Sequence, residues 1–149
     1  TKIQFAMYGI YSMPEGAEGT TDPTAIDFKL KQIIMDINEE NIQKNLNNNE
    51  PIIIINRPQI IYEMDLSKYT NQNINKIQVE FDSEILIKGK YEEKTIEISN
   101  PIISYSTPVA IKTSQTISFI IQVLWRNIVT QQNKTEVFSE PEFNVILKD

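Results

Sequence analysis

The sequence contains neither cysteine nor histidine in its 149 residues. Without cysteine there is no disulfide framework, no thiolate nucleophile and no thiolate zinc site. Without histidine, Ser-His-Asp and Cys-His systems cannot be assembled, nor can a histidine-ligated transition-metal site or a histidine general base. Glycine is also scarce, with four in the chain. The stretch "EGAEGTT" holds Gly16 and Gly19 but lacks both the Lys-Ser/Thr of a P-loop and the three-glycine dinucleotide pattern, so no nucleotide cradle is predicted. Basic residues are outnumbered, 14 against 20 acidic, for a net charge of -6. No Lys/Arg cluster interrupts that balance, and phosphate-backbone binding depends on such clusters, so no nucleic-acid partner is expected. Long apolar runs are missing too. The longest, around "TISFIIQVLW", is half of what a membrane-spanning helix needs, and the N-terminus shows no basic-then-apolar signal pattern. The expectation is a soluble protein made without a signal peptide, with no membrane insertion and no cofactor.

What is present suits a globular fold. Hydrophobic residues make up 40% and charged residues 23%, a balance that disordered chains do not have. A chain of this length fits one domain, 1–149, read as an N-terminal segment 1–50 and a β-rich body 51–149. The opening "KIQFAMYGIYSMP" is rich in aromatic and β-favouring residues and predicts a strand from Ile3 to Tyr11, stopped by Pro14. The segment "PEGAEGTTDP" has the Gly and Pro density of a surface loop.

Two patterns compete over "DPTAIDFKLKQIIMDINEENIQKNLNNN". Ile26, Leu30, Ile33, Ile34 and Ile37 fall at i, i+4, i+7, i+8 and i+11, one face of a helix, with Asp22 as N-cap and Pro23 at the first helical position. Yet Ile26, Phe28 and Leu30 alternate with Asp27, Lys29 and Lys31 as a strand would, and the helix leaves Phe28 and Met35 off its apolar face. The expected reading is a helix from Pro23 to Ile37, with helical turns in "NEENIQKNL" ended by Asn47 to Asn49; the strand reading is the alternative.

From Pro51 onward the pattern is β. Ile77, Val79 and Phe81 alternate with Gln78, Glu80 and Asp82, as in a strand with one wet face. "EILIKGKYEEKTIEISNP" reads as two strands with the turn at either Lys88-Gly89 or Glu92-Glu93. Pro101 and Pro108 confine the segment between them to a sheet edge or a crossing between sheets. Ile117, Phe119, Ile121, Val123 and Trp125 form one face of a long strand, and Phe143, Val145 and Leu147 one face of the last. The predicted fold is therefore mainly β, an antiparallel β-sandwich of Ig-like or jelly-roll-like type with one N-terminal helix packed on it, α+β being the alternative. The closing stretch "ISFIIQVLWRN…VFSEPEFNVIL" is similar to the last two strands of a fibronectin type III module, over about a quarter of the chain. That family carries a tryptophan on an early strand, whereas Trp125 is the only one here, so the family is not assigned.

Three sets of residues are candidates for function. Glu80, Asp82 and Glu84 lie at i, i+2 and i+4, a row that could bind a cation or serve as the acid/base pair of a small carboxylate-dependent hydrolase, and that also describes an ordinary solvated strand face. Trp125, Tyr62, Tyr69, Tyr91 and Tyr105 would stack on sugar rings if exposed together, as in a carbohydrate-binding module, and otherwise serve as core anchors. The third set is "PIIIINRPQII": Ile52, Ile53, Ile54, Ile55, Ile60 and Ile61 place apolar side chains on both faces of a strand, and Ile120 and Leu124 do the same opposite Phe119, Ile121 and Val123. A helix could cover part of that surface, and a second subunit the rest. The leading expectation is a non-catalytic structural or interaction protein that assembles with itself or with partner proteins, such as a virion or secretion-apparatus component.

Overall fold

The computed structural model describes residues 1–11, 20–21, 24–46, 50–89, 91–106, 108–125, 127–130 and 135–149. Sixteen strands account for most of them. In the first half these are β1 (Lys2–Tyr11), β2 (Thr20–Thr21), β3 (Ala25–Phe28), β4 (Leu30–Ile37), β5 (Glu40–Asn45), β6 (Ile52–Ile54), β7 (Gln59–Asp65) and β8 (Asn73–Phe81). The second half contributes β9 (Glu84–Lys88), β10 (Glu93–Glu97), β11 (Ile102–Tyr105), β12 (Val109–Ala110), β13 (Thr116–Trp125), β14 (Asn127–Thr130), β15 (Thr135–Phe138) and β16 (Glu142–Lys148). A 3-10 turn at Ser67–Tyr69 is the helical element among the described residues.

The helix expected from Pro23 to Ile37 is replaced by β3 and β4, and the helical turns expected in "NEENIQKNL" by the β4–β5 hairpin. The reason is a register shift between Leu30 and Gln32. Ile26, Phe28 and Leu30 point inward on one side of it, and Ile33, Met35 and Ile37 on the other. Two alternating runs offset by one bulged residue place Ile26, Leu30, Ile33 and Ile37 at spacings of four, three and four, which imitates a helical face. Phe28 and Met35, which a helix would leave aside, are fully buried, while Ile34 is only half-buried. Asp22, Pro23, Asn47 to Asn49 and all but Thr20 and Thr21 of the loop before Pro23 lie outside the described residues.

The first sheet has the order β16-β13-β1-β7. Its central strands β1 and β13 are parallel and paired residue for residue, Ile3 with Ile117 and Phe5 with Phe119. The flanking strands β7 and β16 run antiparallel to them. A three-stranded sheet, β15-β14-β2, prolongs the β13–β16 hairpin.

The other two sheets read as one long, bent, four-stranded ribbon. β3 passes into β4 across Lys29, and β8 into β9 across Asp82 and Ser83, and these two paths stay antiparallel along their whole length. β5 and β6 flank one side, β10 and β11 the other, and β12 adds to β8. The sheets keep their edges and do not close into a barrel. β9 and β10 close with Lys88 paired to Glu93, and the Gly89 N–H donates to the Glu92 carbonyl at 2.8 Å. Pro101 and Pro108 flank β11 at its edge position, the first of the two placements expected from the sequence.

One contiguous core joins these layers. The inward sides of β1 and β13 bury Phe5 and Phe119 with ring centroids 5.4 Å apart, and Phe28 and Phe81 meet at 5.4 Å in the bent ribbon. Phe143 reaches Phe28 at 5.9 Å, and Tyr105 meets Phe119 edge-on at 6.2 Å, so ring contacts join the first sheet to the ribbon. Each fully buried phenylalanine stabilises the fold by about 1.5–3 kcal/mol relative to exposure.

Candidate functional site

The isoleucine-rich stretch divides between two sheets. Ile52, Ile53 and Ile54 form β6 on the ribbon edge, residues 55–58 make a bend, and Ile60 and Ile61 belong to β7 on the edge of the first sheet. Ile54 is fully buried, and Ile52 and Ile61 pack against the core from partly exposed positions. Ile55 is half-buried, and its carbonyl accepts the Gly9 N–H at 2.8 Å. Two of the six remain turned to solvent, Ile53 at 48% and Ile60 at 55% exposure.

Their surroundings differ. Ile53 pairs with Asp27, whose other neighbour is Leu86, so a carboxylate interrupts its row. Ile60 pairs with Ala6, Ala6 with Ile120, and Ile120 with Ile146. Directly paired residues project to one face, and these alternate with the buried Phe5, Met7, Phe119 and Ile121, so all four lie on the side of the first sheet away from the core. The result is an apolar row crossing every strand of that sheet. Below it, Glu63, Gln4, Ser118 and Lys148 form a polar row with an acid at one end and a base at the other. Above it, Gln122 donates to the Tyr8 hydroxyl, and Asn144 donates to the Gln122 side-chain oxygen at 2.7 Å. One further row out, Ile10 pairs with Leu124. Ile120 and Leu124 were legible as outward apolar residues; Ala6 and Ile146 join them only through strand pairing.

The carboxylate row is split by the structure. Glu80 lies on the outer face, accepts a hydrogen bond from Gln32 and sits 3.9 Å from Lys31. Asp82 and Glu84 instead line a cleft of about 220 Å³ at the bend of the ribbon, with Asp27, Lys29 and Thr95. Asp27 is 11% exposed; its Oδ2 lies 3.5 Å from the Lys88 ammonium and its Oδ1 is buried with no hydrogen-bond partner. One oxygen of Asp82 accepts the Glu84 backbone N–H at 3.1 Å, a local turn contact. Among the described residues, no three Asp or Glu side chains converge closely enough to hold a metal ion.

The aromatics do not share a surface. Trp125 is 4% exposed, stacks on Phe138 at 6.0 Å and donates its indole N–H to the Ser139 carbonyl at 2.5 Å. Tyr69 is buried, Tyr62 leans on Phe5, Tyr105 on Phe119, and Tyr91 is exposed on the β9–β10 loop. Family models, curated proteins and solved structures were compared with the chain, and none matches it.

Proposed function

We propose that this protein is a non-catalytic structural or interaction module that assembles through the outer face of its first sheet, as a component of a virion or a secretion apparatus would. The observation that carries this reading is the Ile60–Ala6–Ile120–Ile146 row, apolar across all four strands on the side turned away from the core. A sheet face exposed to water is expected to alternate toward polar residues, and an apolar stripe there is the composition of a contact surface. The finer architecture belongs to the same proposal: two facing β layers, a β-sandwich of Ig-like or jelly-roll-like type.

Carbohydrate binding has less support, because Trp125 and Tyr69 are used inside the fold. A carboxylate hydrolase also has less, since Glu80 is separated from Asp82 and Glu84. The test compares the purified chain with Ile120→Asp and Ile60→Asp. Light scattering and cross-linking in the native source read the assembly state, and circular dichroism reads the fold. Assembly lost in both folded variants is the expected result; assembly unchanged in both would refute the proposal.

A further inference from the structure

The order β16-β13-β1-β7 has a symmetry of its own. The parallel pair β1 and β13 sits in the middle and the two outer strands run the opposite way. Strand directions therefore read the same from either edge, and a line drawn along the strands between β1 and β13 is a pseudo-two-fold axis of the sheet. Turning a second copy about such a line, laid just above the outer face, puts β1 of one copy over β13 of the other, and β7 over β16, with directions and rows preserved.

Resting on the assembly proposed above, we infer that the occupant of this face is a second copy of the chain, docked face to face about that axis. The rows then meet with matching chemistry. At the centre, Ile120 of one copy lies over Ala6 of the other, a large side chain over a small one, on both sides of the axis. Ile146 lies over Ile60, and Leu124 over Ile10. Gln122 lies over Tyr8, groups that already hydrogen-bond each other within one sheet. At the corners the Lys148 ammonium of one copy meets the Glu63 carboxylate of the other, twice by symmetry, joining the Lys2 ammonium 3.7 Å away and the Gln4 amide that donates to Glu63 at 2.6 Å within its own sheet. A face with acid on one edge strand and base on the opposite edge is self-complementary under this operation, as an isologous contact requires. Turning the copy about the perpendicular in-plane axis would instead set β7 on β7 and β16 on β16, forfeiting the charge match.

Four strands at ~4.8 Å spacing and about seven residues at ~3.3 Å give a footprint of roughly 20 Å by 20 Å. That is about 400 Å² per copy, below the standard size of a stable interface and in the range of transient ones, so the dimer is expected to be weak and concentration-dependent.

Because the chain has no cysteine, placed thiols report without background. Ile60 and Ile146 stand on opposite edge strands with β1 and β13 between them, so a short bis-maleimide cannot bridge them inside one sheet. Mixing Ile60→Cys with Ile146→Cys protein should give a cross-linked dimer at least tenfold more abundant than either variant alone. A charge exchange provides the second readout. Glu63→Lys and Lys148→Glu should each weaken the dimer about fivefold in sedimentation, because their homodimers carry two base–base or two acid–acid corners, and mixing the two variants should yield mixed dimers in which both corners pair acid with base and the affinity returns. The double variant Glu63→Lys/Lys148→Glu should recover the affinity. Cross-linking of Ile60→Cys with itself, or a double variant no tighter than the singles, would overturn the axis. A monomer at all concentrations that still binds another protein through Ile120 would overturn the second-copy inference while leaving the assembly role standing.

Discussion

The side-chain amide of Gln59 donates a hydrogen bond to the backbone carbonyl of Ile53. Gln59 opens β7 and Ile53 is the middle residue of β6, so the bond ties an edge of the first sheet to an edge of the ribbon across residues 55–58. Two other edge strands of the ribbon carry charge, Glu93, Lys94 and Glu97 on β10 and Glu40 and Lys44 on β5, whereas β6 is three isoleucines. An uncharged edge strand is a template for unwanted pairing, and a carbonyl already satisfied within the chain is a poorer one. Gln59→Ala is predicted to lower stability by about 1 kcal/mol, read as a shift in urea midpoint, and to raise the aggregated fraction on refolding.

Trp125 sits where β13 leaves the first sheet, stacked on Phe138 and bonded to Ser139. As the only tryptophan, it makes native emission a direct report on this junction. Emission should be blue-shifted in the folded protein and move to the red on unfolding. Trp125→Phe keeps a ring but loses the N–H bond, for a cost of about 1 kcal/mol. Trp125→Ala should cost about 3–5 kcal/mol, measured by denaturant titration followed by circular dichroism.

Asn38 turns the β4–β5 hairpin with φ of 52°. Its N–H donates to the Asn73 carbonyl at 3.0 Å, and its side-chain oxygen accepts the Asn73 N–H at 3.2 Å. Asn38→Ala should destabilise by about 1–2 kcal/mol, since a Cβ without a local hydrogen bond is disfavoured in the left-handed region. Asn38→Gly relieves the backbone penalty and should cost less. A thermal melt of the two variants side by side checks the order.

The Ser67 hydroxyl and backbone N–H both donate to Asp65, at 2.5 Å and 2.8 Å, and hold its carboxyl below the usual aspartate range. A folded pKa below the unfolded one means that the contribution is present above the unfolded value. It is lost as pH falls through the folded value. Asp65 is at the surface, so the effect is small and salt-sensitive. Asp65→Asn should flatten the acid end of the stability profile between the unfolded and folded values and leave neutral pH nearly unchanged. Urea midpoints across an acidic pH series measure this.

Strand faces with unbroken alternation were legible in the sequence. Ile117 through Trp125 and Ile77 through Phe81 lie inward as their spacing predicts. Alternation failed as a guide where a bulge displaced it, between Leu30 and Gln32, because a two-residue period interrupted once passes through the same positions as a helical one. The candidate surface was half legible for a different reason. Ile60 and Ile120 could be picked out singly, but a row across a sheet depends on which strands are neighbours, and neither the parallel partnership of β1 with β13 nor the place of β16 is encoded in any local spacing.

The pairing of β1 with β13 joins residues 114 positions apart, such as Tyr8 and Gln122. During synthesis, β7 emerges from the ribosome early enough to take up one side of β1, while the other side must wait until β13 has been made. Non-local closure of this kind folds slowly and prolongs the exposure of unfinished surface. The nascent protein therefore carries an incomplete hydrophobic sheet from the emergence of β1 until β13 and β16 arrive to complete it.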